Sequence, residues 1–98
     1  MPLDTNVPHG DLSGLRGELR AAGRWVATLS GVVCHVSPTD AMSASGHIDK
    51  RDAYWLEHGA RYVFVLIVGK RLWQWRNVTI TVGGDTVTVS GTGRPEIT

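Results

Sequence analysis

Cysteine is almost missing from this chain: Cys34 is the only one. An internal disulfide is therefore excluded, and no cysteine framework can staple the fold. Runs of one charge are missing too. Ten basic residues are scattered among nine acidic ones, for a formal net charge of +1. That balance argues against the clustered positive footprint of a nucleic-acid-binding domain and against a polybasic membrane signal. Long hydrophobic runs are absent: the longest, Tyr62 to Val68, is too short to cross a bilayer. Met1-Pro2-Leu3-Asp4 has no basic region leading into an apolar stretch, which reads against a signal peptide. The expectation is a protein made and kept in a reducing compartment, or built into something assembled there. No repeat is visible. Gly91-Thr92-Gly93 runs into Arg94-Pro95 rather than into a helix, so no phosphate-cradling loop is indicated.

What remains is a chain of 98 residues, one domain with a modest core of its own. Twelve glycines add unfolded-state entropy, which four tryptophans partly offset through their apolar area. Cores of this size often gain stability from neighbouring subunits.

The clearest pattern lies between Arg61 and Ser90, as two consecutive β-hairpins. Val78, Ile80 and Val82 alternate with Thr79 and Thr81. Val87 and Val89 alternate with Thr86, Thr88 and Ser90. Such period-two alternation marks strands with one buried face. A two-residue turn at Gly83-Gly84 would set Val82 against Asp85, Ile80 against Val87, Thr79 against Thr88 and Val78 against Val89, keeping aliphatic side chains on one face. In the first hairpin, a turn at Gly69-Lys70 opposes Leu66 to Trp73 and Phe64 to Trp75. Arg76 or Asn77 then lies between the Trp-rich and Val-rich stretches, which can form one long bent strand.

Elsewhere the signals are weaker. Residues 1–10 read as an extended arm. Asp11 to Ala22 reads as a short helix, with Leu12, Leu15, Leu19 and Ala22 as its apolar stripe, capped by Asp11 or Ser13 and stopped at Gly23. Arg24 to Val36 reads as a strand with a bulge or bend at Gly31. Residues 39–49 read as a long loop of small polar residues. Asp52 to His58 suggests a helical turn anchored by Tyr54, Trp55 and Leu56, and residues 91–98 a turn-rich tail. The expected fold is mainly β: a small antiparallel β-barrel or sandwich over residues 24–90, one domain, with one short N-terminal helix and a long loop.

Chemistry is sparse. Adjacent Cys34 and His35 point to opposite strand faces and, with His47, lack the short paired spacing of a zinc site. A mid-strand cysteine reads as packing. The expectation is no enzyme, no metal and no cofactor. Trp73 and Trp75, flanked by Arg71 and Arg76, support an alternative: a small β-barrel module that stacks single-stranded nucleic acid on those two rings.

The strand ending at Val36-Ser37-Pro38, the long loop, the run Tyr62-Val63-Phe64-Val65-Leu66, and the strand-turn-strand from Val78 to Val89 together resemble the head-to-tail connector proteins of tailed bacteriophages, of the stopper or head-completion type. The likeness covers roughly residues 24–94. It implies a structural virion protein of the neck, assembled in the host cytoplasm, forming a homo-oligomeric ring between portal or adaptor and tail proteins. In such a ring a long loop closes or gates the DNA channel. Carried over, Thr39, Asp40, Met42, Ser45, His47 and Asp49 would form that channel loop, with packaged DNA as a further contact. Tyr62, Phe64, Leu66, Trp73 and Trp75 would form the subunit interface. No membrane is implied.

Overall fold

The computed structural model describes residues 10–37, 41–57 and 60–98. Seven strands form one sheet: β1 (Gly10–Ala21), β2 (Arg24–Val36), β3 (Ala41–His47), β4 (Arg61–Val68), β5 (Arg71–Gly83), β6 (Thr86–Thr92) and β7 (Glu96–Ile97), with one short helix, α1 (Lys50–Ala53), between β3 and β4. All pairings are antiparallel. The order β1-β2-β3-β6-β5-β4 closes on itself, because β4 pairs with both β5 and β1. The protein is a closed six-stranded antiparallel barrel, and β7 adds an extra strand against β5.

Two meanders build it. β1-β2-β3 and β4-β5-β6 each fold back on themselves, and the barrel closes where β1 meets β4 and β3 meets β6. Leu19, Leu29, Val32, Phe64, Leu66, Val78, Val87 and Val89 are fully buried inside. The first hairpin has the expected register, with Phe64 opposite Trp75 and Leu66 opposite Trp73. The second keeps its expected faces but slips by two residues: Ile80 opposes Val89, Thr81 opposes Thr88 and Val82 opposes Val87. The turn is Gly84-Asp85, with positive φ at Gly84 alone. Because the side-chain period is two, a shift of two preserves burial, so the alternation could not distinguish the two registers.

The expected N-terminal helix over Asp11–Ala22 is instead strand β1. Its leucines sit three and four residues apart, and four is two strand steps as well as about one helical turn. Leu15, Gly17, Leu19 and Ala21 face inward as a strand. The three-residue step from Leu12 to Leu15 is a bulge, where Gly14 takes φ +69°, a conformation glycine adopts without steric cost. The stop at Gly23 is a turn between β1 and β2 rather than a helix end.

Most of the expected loop is strand instead. Ala41–His47 is β3, paired to both β2 and β6; Thr39 and Asp40 lie outside the described residues. Met42, Ala44 and Gly46 face the interior, and the smallness of Ala44 and Gly46 answers the bulk opposite them. A Cβ on Gly46 would stand 3.0 Å from Val32 Cγ2 and 3.1 Å from Leu29 Cβ. The tail is ordered in part: residues 91–92 finish β6, and β7 lies along Trp73 and Gln74. Leu72 and Thr98 exchange backbone hydrogen bonds of 3.1 and 3.0 Å. Of the proposed arm, only Gly10 is described, and it begins β1.

Bulges bend the long strands around the barrel. β2 shifts phase between Ser30 and Val33, at Gly31. In β5, Arg76 and Asn77 stand against the single residue Val63, so Trp73-Trp75 and Val78-Ile80 all point inward from one bent strand.

The closing seam is tight. A Cβ on Gly17 would meet Phe64 Cε1 at 2.8 Å, and that ring is stacked on Trp75 with centroids 5.9 Å apart. Gly17→Ala is expected to cost about 1–3 kcal/mol through overpacking. Gly83→Ala, where nothing lies within 4 Å, should stay within about 0.5 kcal/mol of the parent. Urea denaturation of both variants checks the pair.

Candidate functional site

The residues expected at a subunit interface are interior. Tyr62, Phe64, Leu66, Trp73 and Trp75 are all buried in the core, and Trp75 Nε1 donates to the Gly93 carbonyl at 3.2 Å. They can touch neither a neighbouring subunit nor a nucleic-acid base, so both the interface assignment and the Trp73/Trp75 stacking module are corrected. The apolar run of β4 is explained by closure: pairing on both edges and core on one face leave little of it in solvent.

The channel-loop residues also scatter. Met42 is buried, Ser45 is half-buried on β3, and His47 is exposed at the end of that strand. Asp49 caps α1 by accepting from the Arg51 backbone N–H at 2.8 Å, and that bond holds its carboxyl below the usual range. Among the described residues no group of three or more His, Cys, Asp or Glu is placed to hold a metal ion.

Cys34 is fully buried on the inner face of β2 while its neighbour His35 is exposed on the outer face. Burial pushes the thiol up to about 11, which removes the thiolate that nucleophilic chemistry needs near neutral pH.

The exposed aromatic surface lies elsewhere, on the connection from β3 to β4. Tyr54 and Trp55 are 81% and 71% exposed. They follow α1 directly and meet edge to face, with centroids 5.3 Å apart and ring planes at 87°. Their placement is fixed from both sides. Ile48 is buried, and its backbone N–H donates to the Asp85 carbonyl at 2.8 Å. Leu56 is buried in the core, and the Glu57 N–H donates to the Tyr62 hydroxyl at 3.0 Å. Of the three side chains expected to anchor this turn, only Leu56 does so. With Lys50 and Arg51, the two rings line an open cleft of ≈ 380 Å³. Arg51 Nε lies 3.6 Å from Asp49 Oδ1 with its side chain almost wholly in solvent. Lys50 has no ion pair among the described residues.

Among the described residues, Trp25, Val33 and Leu72 are the other exposed large apolar residues. Trp25 Nε1 donates to Thr28 Oγ1 at 2.9 Å, and each stands apart in sequence from the others. The sequence signal for the cleft was the adjacency of Tyr54 and Trp55 beside Lys50-Arg51; taking both rings, with Leu56, as anchors of the turn hid it.

Compared with known proteins, the chain matches no family model, no curated protein and no solved structure.

Cys34 gives a test of the interior. At pH 8 the native thiol should react with a disulfide reagent roughly 100-fold or more slowly than the unfolded chain, from thiolate fraction alone. The unfolded thiol loses its proton near pH 9 and the folded one near 11, so the folded state holds the extra proton in between. Stability is therefore intact below pH 9 and falls as pH rises to about 11, by up to about 1.4 kcal/mol per unit. Chemical denaturation across that window, with Cys34→Ala as the flat reference, measures the slope.

Proposed function

We propose that this chain is a structural assembly protein of a tailed-phage neck: a small barrel that joins a ring between portal or adaptor and tail proteins and does no catalysis. The observation that carries the reading is the exposed Tyr54–Trp55 pair on an otherwise closed and filled barrel. A barrel of this size has its interior filled by side chains, so whatever it binds, it binds on the outside. Two adjacent large aromatics left in water are the usual mark of a docking contact. The resemblance noted for residues 24–94 supplies the context, and the buried alternation of Val78, Ile80, Val87 and Val89 is in keeping with it. Gating by residues 39–49 is not part of the proposal, since 41–47 are barrel wall. The exposed pair belongs to the β3–β4 connection.

Size-exclusion chromatography with light scattering should give an oligomer well above monomer mass, or co-elution with portal, adaptor or tail proteins. The double variant Tyr54→Ala/Trp55→Ala should weaken that co-assembly about 30-fold, the loss of about 2 kcal/mol typical of an interface anchor. Its thermal unfolding should stay close to the parent's, because both rings are solvated. A monomer that remains alone at every concentration and with every neck protein overturns the reading.

A further inference from the structure

We infer that β7 is exchangeable: the edge of β5 that it covers takes the β7 of a second copy of this chain. The inference rests on the assembly reading and names a contact between neighbours within it. β5 outruns β6, which pairs with it only over Thr79–Gly83. Past that stretch, Leu72 to Gln74 would present an open ladder edge, a template for another strand. β7 fills it, with Ile97 opposite Trp73 and Glu96 opposite Gln74. What this edge accepts is therefore shown by what lies on it: Glu96-Ile97-Thr98, with the half-buried Ile97 packed against the core. A second copy carries the same segment and can make the same bonds.

β7 is also lightly held. Among the described residues it pairs with β5 alone. Thr98 and Leu72 exchange two backbone hydrogen bonds. Arg76 reaches Glu96 Oε1 at 2.9 and 3.1 Å, but that ion pair stands in solvent and adds little. The link to β6 is Gly93-Arg94-Pro95. Trp75 Nε1 pins the Gly93 carbonyl, which sets a pivot. Gly93 takes φ +87° with open space around it, and Pro95 holds the residue before it extended. Three extended residues span at most about 11 Å, so an accepting edge must lie directly against the donor, as adjacent members of a closed ring do. Each copy then presents two different patches, β7 as donor and the β5 edge as acceptor, which is what head-to-tail contact requires. Strand addition draws on main-chain hydrogen bonds, so no broad apolar face is called for. In a lone chain the short tether keeps β7 on its own β5 at an effective concentration of about millimolar. Neighbours held in an assembly reach the same range, and exchange leaves the number of bonds unchanged.

The test uses two variants of the full chain, Gln74→Cys and Glu96→Cys, at positions directly opposite each other in the β5–β7 pair. Cys34 stays in place, because it is sealed in the core. One variant carries a size tag. The two are mixed at about millimolar concentration, oxidised under native conditions, and denatured in an alkylating agent; a non-reducing gel reads which chains are joined. Mixed dimers should exceed each same-variant dimer about tenfold, because only the donated strand holds the two thiols at disulfide distance. The chain carrying both substitutions should give a ladder of joined chains when concentrated and intrachain links when dilute. Circular dichroism and melting confirm that each variant folds. Mixed and same-variant dimers in chance proportion, no joined chains, or intrachain links alone at every concentration overturn the inference. Light scattering on the parent chain separates this outcome from the assembly reading. An oligomer whose doubly substituted form gives only intrachain links keeps the assembly and removes the exchange. A parent that stays monomeric with every neck protein, while the mixed dimers still form, does the reverse.

Discussion

The barrel depends on one close approach, the ring of Phe64 lying over Gly17. Phe64 is paired to Leu19 of β1 and to Trp75 of β5, so it stands where the two meanders are sewn together. Its ring stacks on Trp75 and fills the space that a side chain at position 17 would occupy. The same complementarity recurs in β6, where a Cβ on Gly91 would reach Val78 Cγ1 of β5 at 2.9 Å and Met42 Cε, across the opposite seam, at 3.4 Å, and in β3, where Gly46 makes room for Leu29 and Val32. Interiors are packed to crystal-like density, and here large residues on some strands are balanced by missing side chains on others. Part of the unfolded-state entropy that the glycines add is the cost of closing so small a barrel at all.

Closure also decides where function can reside. A closed sheet has few free edges, its interior is occupied, and its one thiol is sealed in. A side chain that alternates correctly to be in a strand of this barrel is half the time committed to the core, which is what happened to Trp73 and Trp75. Their exposed counterparts, Tyr54 and Trp55, come from the connection between β3 and β4, which is not a hairpin.

How much of this was legible follows from the kinds of signal the residues carry. The β4–β5 hairpin could be read to the residue because aromatic and β-branched side chains alternate up to a single plausible turn. The β5–β6 hairpin could be read to the face but not to the register, because Gly83 and Gly84 offer turns two residues apart and Val and Thr repeat identically on both sides. β1 was misread because Leu15 and Leu19 satisfy both periods, and only the bulge at Gly14 brings Leu12 onto the same side. β3 was misread because strand propensity favours β-branched and aromatic side chains, and β3 has none: two of its three inward residues, Ala44 and Gly46, are small and the third is the unbranched Met42. The cleft was missed for a related reason: an aromatic in a short amphipathic turn is ordinarily core, and nothing local says that Leu56 alone suffices.

Topology explains why the exposed pair sits on this connection. In the ring order β1-β2-β3-β6-β5-β4, strands β3 and β4 lie diametrically opposite one another. The chain cannot pass between them by a turn; it must cross the end of the barrel. That crossing needs anchors to cover the core, which Ile48 and Leu56 supply, and it needs length between them, which no ladder constrains. α1 takes up that length and turns the next two residues outward. Side chains at 54 and 55 can therefore vary without disturbing any strand pairing, while the anchors hold their position to the precision of the core. A small closed barrel concentrates rigidity and freedom from packing in one place, and here that place carries two aromatic rings and two cations.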